Sequence, residues 1–84
     1  MILDEFKKIR EKLDLTQEEL AQVLGMSSFQ TISHIETGVR NPSRLTMAMM
    51  RIFLILPMKR SKELREMILM QLPRVEKAKR NKRQ

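Results

Sequence analysis

Several residue types are missing from this 84-residue chain, and each absence excludes a class of protein. There is no cysteine, which excludes a disulfide framework and a thiolate metal site. There is also no tryptophan or tyrosine, so stacking on single-stranded bases has little support. His34 is the only histidine, and a lone histidine without cysteine makes a metal site improbable. We therefore expect no metal and no cofactor.

Long apolar runs are also absent. The longest, Ile52 to Pro57, is far too short to span a bilayer, and the N-terminal segment carries acids where a signal peptide carries bases. Neither an acid–base pair in a plausible cleft nor a phosphate-cradling glycine loop is recognisable, so we expect no enzyme. A soluble cytoplasmic protein without membrane association is expected.

Positive charge is abundant and unevenly placed. The formal net charge is +7, of which the eleven residues 74–84 carry +5 and residues 1–73 carry +2. A basic tail attracts polyanions without sequence preference, and it is equally interpretable as a solubilising, disordered end. We predict one packed domain over residues 1–73 and a basic, disordered tail over residues 74–84.

Helical periodicity predicts an all-α fold of five helices. Helix one runs from about Leu3 to Leu13. Helix two starts at Thr16, because Thr16 and Glu19 have the spacing of a capping box, and Gly25 can adopt the left-handed conformation that ends it. Helix three runs from Ser27 or Ser28 to Thr37; Ser27 with Gln30 would form a second capping box, and Gly38 ends the helix.

The last two helices are the most apolar part of the chain. Helix four is capped by Ser43 and extends to about Leu56, and its sequence is apolar nearly all round, which predicts burial on most sides. Helix five runs from Ser61 to Pro73, with one apolar face formed by Leu64, Met67, Ile68 and Leu72. This is more apolar surface than a small monomer easily hides, so a symmetric homodimer through helices four and five is predicted. The alternative is a monomer with a well-filled core.

One face of helix three has the composition of a DNA-reading surface. With Ile32 and Ile35 buried, Gln30 and Thr37 face outward and Ser33 and His34 flank them, with no lysine or glutamate among them. A glutamine can pair bidentately with adenine, serine can donate or accept, and imidazole can donate to guanine. The alternative is a polar face without a ligand.

The tip of helix three belongs to the same predicted site. Ser28 points inward on the helical wheel, and Phe29 lies near the boundary. Phe29 at the tip could touch a thymine methyl group, or it could be a core residue. We predict five base-reading residues: Ser28, Phe29, Gln30, Ser33 and His34.

Contacts to phosphate are expected from helix N-termini and nearby bases. The start of helix two and the loop before helix four supply them, and Thr16 and Ser43 cap helices as well. The predicted phosphate-contacting residues are Thr16, Gln17, Arg40, Asn41, Ser43 and Arg44.

Three motifs together resemble the helix-turn-helix family of phage Cro and lambda-type repressors, also called the XRE family. They are IREKLDLTQEELAQVLGM, QTISHIETG and RNPS, within the stretch from Phe6 to about Ile55. The resemblance implies a five-helix fold with helix three in the major groove. It implies a phosphate-binding role for Gln17, base reading by Gln30, Ser33 and His34, and backbone contacts from Arg40, Asn41 and Arg44. It also implies a partly buried ion pair between Arg10 and Glu36.

The chain departs from the family at one place. The segment from Gly25 to Glu36 is one residue longer than the usual spacing, so either the turn is longer or helix three starts one residue early.

The expected function is a sequence-specific regulator of transcription, a dimeric repressor on a near-palindromic operator in double-stranded DNA. The alternative is an antitoxin that binds a toxin protein and represses its own operon.

Overall fold

Five helices form the part of the chain that the computed structural model describes, which is the backbone of residues 2–83 and the side chains of residues 4–75. No strand occurs in those residues, so the predicted all-α fold is confirmed. The helices are α1 (Ile2–Lys12), α2 (Gln17–Val23), α3 (Phe29–Glu36), α4 (Arg44–Ile55) and α5 (Met58–Arg83).

The helix boundaries follow local capping chemistry. Thr16 caps α2 in the predicted capping box: its hydroxyl accepts from the amide of Glu19 at 3.0 Å, and Glu19 accepts from the amide of Thr16 at 2.9 Å. Gly25 and Gly38, which follow α2 and α3, have φ angles of +72° and +84°. Left-handed glycine ends a helix without a Cβ clash, so both predicted helix ends are confirmed.

The start of α3 corrects one prediction. Its N-cap is Ser28, whose hydroxyl accepts from the amide of Gln30 at 3.1 Å, and Ser27 is exposed outside the helix. The predicted capping box of Ser27 with Gln30 is therefore wrong. The cap falls one position later than that pairing requires.

The core lies where the first four helices meet. Phe6, Leu20, Ile32 and Met50 have no exposed surface, and burying each such side chain stabilises the fold by roughly 1.5–3 kcal/mol. Ile35 is 2 % exposed, so the predicted inward pair of α3 is confirmed. The other buried apolar residues are Ile9, Leu13, Ala21, Val23, Met47 and Phe53.

Helix α4 is less buried than its composition predicted. Only Met47, Met50 and Phe53 are buried, whereas Leu45 is 70 % exposed and Ile55 is 79 % exposed. The expectation of burial on most sides is wrong within one chain, because α1 and α5 cover only part of the helix. An outer apolar surface therefore remains on α4.

Helix α5 differs from its prediction at both ends. It begins at Met58, where the amide of Ser61 donates to the carbonyl of Pro57 at 2.9 Å, and it continues through Pro73 to Arg83. Pro57 pre-sets the backbone just before the first turn, which explains the earlier start. The backbone of residues 74–83 is thus helical where a disordered tail was expected, and the division of the chain at residue 73 stays a prediction. The side chains of the basic residues from Lys77 onward lie outside the described part.

The face of α5 that meets the core also differs. Met67 is 61 % exposed, whereas Ser61 is fully buried and Arg65 is only 8 % exposed. Leu64, Ile68 and Leu72 are half-buried as expected. The helix is rotated relative to the predicted face, and the long apolar stem of Arg65 packs inward while its Nε donates to the Ser61 carbonyl at 3.2 Å.

Candidate nucleic-acid interface

The outer face of α3 is exposed at the surface of the described part of the chain. Ile32 and Ile35 fix the inner side of the helix against α1 and α2, and Gln30 and His34 are exposed on the other side. Ser33 between them is half-buried. Thr37 at the C-terminal end is exposed, and its hydroxyl donates to the carbonyl of Ser33 at 3.0 Å. The helix therefore presents amide, imidazole and hydroxyl groups, and none of these four residues is a lysine or a glutamate.

The tip of α3 lies beside the first turn of α2. Ser28 is half-buried and uses its hydroxyl as the N-cap, while Phe29 is 49 % exposed and so is no core residue. These two residues share a cleft with Ala21 and Glu18 of α2. Sequence reasoning missed Glu18, because the periodicity of each helix gives its own faces and not how two helices are placed together.

A carboxylate at this tip has a definite chemical consequence. Glu18 is exposed, and its negative charge repels phosphate while it can accept a hydrogen bond from a base amino group such as that of cytosine. The region around Phe29 is therefore suited to base edges and poorly suited to the phosphate backbone.

A hydrogen-bonded network joins three helices behind the outer face of α3. Arg10 of α1 pairs with Glu36 of α3 through two bonds, from Nε to Oε2 at 2.6 Å and from Nη2 to Oε1 at 3.1 Å. Arg10 also donates to the carbonyl of Leu15 at 2.9 Å. The side chains of Arg10 and Glu36 are 13 % and 5 % exposed, so the implied partly buried ion pair is present. The carboxylate of Glu36 raises the pKa of Arg10 above its ordinary value.

Gln17 is the third member of this network. Its Nε2 donates to Oε1 of Glu36 at 3.1 Å, which brings the first residue of α2 to the last turn of α3. A side-chain amide has two N–H donors and a carbonyl oxygen, so within the described residues one donor and the oxygen remain without a partner. Gln17 is half-buried, and Glu36 holds its side chain in place.

The loop after α3 brings predicted contact residues to the same side. The amide of Arg40 donates to the carbonyl of His34 at 3.1 Å, which folds the loop back onto the end of α3. Arg40, Asn41 and Ser43 line one cleft with Thr31 of α3. Arg44, the first residue of α4, is exposed.

Thr16 and Ser43 are engaged as caps. The hydroxyl of Ser43 accepts from the amide of Thr46 at 3.1 Å and donates to the Thr46 hydroxyl at 2.8 Å. At α2, hydrogen bonds from the Thr16 amide and hydroxyl hold the pKa of Glu19 below its ordinary value. Both caps are exposed, so the N-terminal ends of α2 and α4 lie at the surface.

Two further observations concern metal binding and membrane insertion. Over residues 4–75, no group of three or more His, Asp or Glu side chains has a metal-binding arrangement. No helix in the described part of the chain is both long enough and apolar enough to cross a bilayer.

Comparison with known proteins agrees with this geometry. A family model described as Helix-turn-helix matches residues 6–54, more than half of the 84 residues. The matched range includes all of α2, the turn after it, all of α3 and the loop that follows. No significant match is found among curated proteins or among solved structures.

Proposed function

We propose that this chain represses genes through a specific operator. The chain belongs to the helix-turn-helix family of the XRE and lambda-repressor type and is a DNA-binding transcriptional regulator. In this proposal α3 enters the major groove and its outer face contacts base edges. The observation that carries the proposal is the exposure of Gln30 and His34 on a helix whose other side is anchored by Ile32 and Ile35.

Base reading is assigned to the residues along this face. Gln30 and His34 are exposed, and their side chains can form directional bonds with adenine and guanine edges. Ser33 lies between them, and Ser28 and Phe29 form the tip. Ser28 is a weaker candidate than the others because its hydroxyl already accepts from the Gln30 amide.

Phosphate contacts are assigned to both ends of this face. Arg40, Asn41 and Arg44 are exposed at one end, and their position next to α3 allows them to reach the strands that flank the groove. Gln17 and Thr16 stand at the start of α2, where Glu36 fixes the amide of Gln17. Ser43 is included because it is exposed at the N-terminal end of α4, where a helix favours an anion.

A symmetric homodimer is proposed from the outer surface of α4 and α5. We call the exposed apolar side chains of these two helices the α4–α5 apolar surface, which includes Leu45, Ile52, Ile55, Met67 and Met70. A second copy would bury these side chains, and a two-fold axis would present two α3 helices to successive major grooves about 34–36 Å apart. Sedimentation should give a mass of twice 10.0 kDa at micromolar concentration, and a single-chain mass at all concentrations would refute the dimer.

The decisive experiment for sequence reading compares two variants on a selected duplex. Gln30→Ala should weaken binding to that duplex by about 1–3 kcal/mol and relax the preference at one base position. Arg44→Ala should instead weaken selected and random duplexes alike and reduce the salt dependence by about one unit of slope. If selection returns no preferred sequence and both variants behave alike, the proposed base-reading role of α3 is refuted.

An antitoxin is the second candidate, because the α4–α5 apolar surface fits a foreign protein as well as a second copy. In that case a toxin encoded beside this chain would bind the surface, and the complex would repress its own operon. Co-expression with the neighbouring gene product followed by gel filtration separates the two. A stable complex with a different protein that is lost on Ile55→Asp favours the antitoxin, and an unchanged homodimer opposes it.

A further inference from the structure

Helix α5 packs against the turn between α2 and α3. Leu72 lies against Gly25, whose φ is +72°, so closely that a Cβ added there would be 3.3 Å from Leu72 Cδ2 and 3.7 Å from Cδ1. Leu72 is half-buried and stands on the last turn of α5 before Pro73. A helix outside the matched residues 6–54 thus contacts the turn that precedes the recognition helix.

Backbone bonds fix only the first part of this turn. The amide of Gly25 donates to the carbonyl of Gln22 at 3.2 Å, and the amide of Met26 donates to that of Ala21 at 2.9 Å. Within the described residues, the amides of Ser27 and Ser28 donate no backbone hydrogen bond. The direction in which α3 leaves the turn is therefore set by packing as well as by α2.

Space for movement lies directly beside the Leu72 contact. A groove of about 320 Å³ is lined by Gln22, Gly25, Met26 and Ser27 on one side and by α5 on the other. Truncating Leu72 would enlarge this groove and remove the surface on which Gly25 rests. The deeply buried core around Phe6, Leu20 and Ile32 would keep its contacts, because Leu72 is not among the half-buried apolar residues that pack against it.

We propose that Leu72 is a positioning residue for DNA reading, which fixes the turn at Gly25 and thereby the position of the N-terminal tip of α3, residues 28–30. This inference rests on the proposed function of α3 and adds a coupling between α5 and the recognition helix. Its consequence is that any event that shifts α5 alters base reading while the phosphate contacts of Arg40 and Arg44 persist.

The first test measures the ratio of affinities for a selected duplex and a random duplex. Leu72→Ala should lower this ratio by about tenfold, because residues in contact are coupled by amounts of that order. Leu72→Met, which keeps the volume, should restore the ratio. Val75→Ala is the matched control, since Val75 lies one turn further along α5 and is 61 % exposed. All measurements are made far below the melting temperature of each variant.

Loss of fold and loss of position give different results in this test. Partial unfolding lowers both affinities together and leaves their ratio unchanged, whereas a misplaced α3 lowers the selected affinity alone. A ratio within twofold of the parent chain for Leu72→Ala, or an equal fall for Val75→Ala, overturns the proposal.

The second test needs no DNA and so separates this proposal from the proposed function. In amide NMR spectra of the free chain, Leu72→Ala should shift the resonances of residues 25–30, and Val75→Ala should leave them in place. The same spectra of Gly25→Ala should change less when Leu72 is already alanine, because the crowding at Cδ2 is relieved while the strain of positive φ is retained. Unmoved turn resonances, or strictly additive changes, overturn the coupling even if the chain reads DNA.

Discussion

Replacing Glu36 with glutamine should be among the most damaging single changes in this chain. The Glu36 carboxylate accepts two bonds from Arg10 and one from Gln17, and its side chain is only 5 % exposed. Glu36→Gln removes the charge with little change of shape, and it turns an amide N–H₂ group toward existing donors. Arg10 is left as a partly buried cation with no opposite charge beside it, and its acceptors are the Leu15 carbonyl and at most the one amide oxygen of the new glutamine.

The magnitude follows from burial. Removing one partner of a buried ion pair costs about 3–5 kcal/mol, because the remaining charge loses its compensation. For a domain of this size, a loss of about 3 kcal/mol lowers the melting temperature by at least about 12 °C. Urea unfolding followed by circular dichroism at pH 7 measures the free energy of unfolding directly.

The chain contains its own matched control. Arg51 and Glu5 form the same two-bond geometry at 2.7 and 2.9 Å, but their side chains are 55 % and 37 % exposed. Glu5→Gln should therefore change the free energy of unfolding little, since exposed pairs are screened by water. If Glu36→Gln and Glu5→Gln destabilise the chain equally, burial does not decide the strength of this pair and the reasoning is refuted.

Three further predictions use the same unfolding measurement. Ser61→Ala should raise the free energy of unfolding by up to about 1 kcal/mol, because the fully buried Ser61 hydroxyl has no hydrogen-bond partner among residues 4–75; a loss of stability would reveal a partner. Thr16→Ala should cost about 1 kcal/mol through loss of the α2 cap, and an unchanged urea midpoint would contradict this. The pKa values of Glu5 and Glu19 lie below their ordinary value of 4.5, so the stability they add is present above that pH and is lost as pH falls through the lowered values. Between pH 6 and pH 3, the free energy of unfolding of the Glu19→Gln variant should accordingly fall less than that of the parent chain.

Local chemistry made much of this fold predictable. The cap at Thr16, the cap at Ser43 and the left-handed glycines act within a few residues, so their spacing in the sequence is sufficient. The burial of Ile32 and Ile35 followed from the helical period, and the exposed face of α3 followed from that. The pairing of Arg10 with Glu36 spans 26 residues, and only the family resemblance indicated it.

The features that sequence analysis missed depend on how helices are placed together. Arg65 and Ser61 turn inward on α5 although neither is apolar, because the contacts with α2 and α4 fix the rotation of that helix. Pro73 does not end α5, and its ring lines the groove beneath the α2–α3 turn. Glu18 lies beside the tip of α3 because the packing of α2 against α3 places it there. None of these positions can be derived from the periodicity of one helix.

The most direct test of the central claim is a disulfide crosslink between α3 and the major groove. The chain has no cysteine, so His34→Cys creates a single thiol on the outer face of α3. Within a selected duplex carrying a thiol-tethered base in the major groove, this variant should crosslink at one base position in each half-site. Lys8→Cys, an exposed position on α1, should not crosslink. Equal yields from the two variants, or none from His34→Cys on a duplex that the chain binds, would contradict the placement of α3 against the bases.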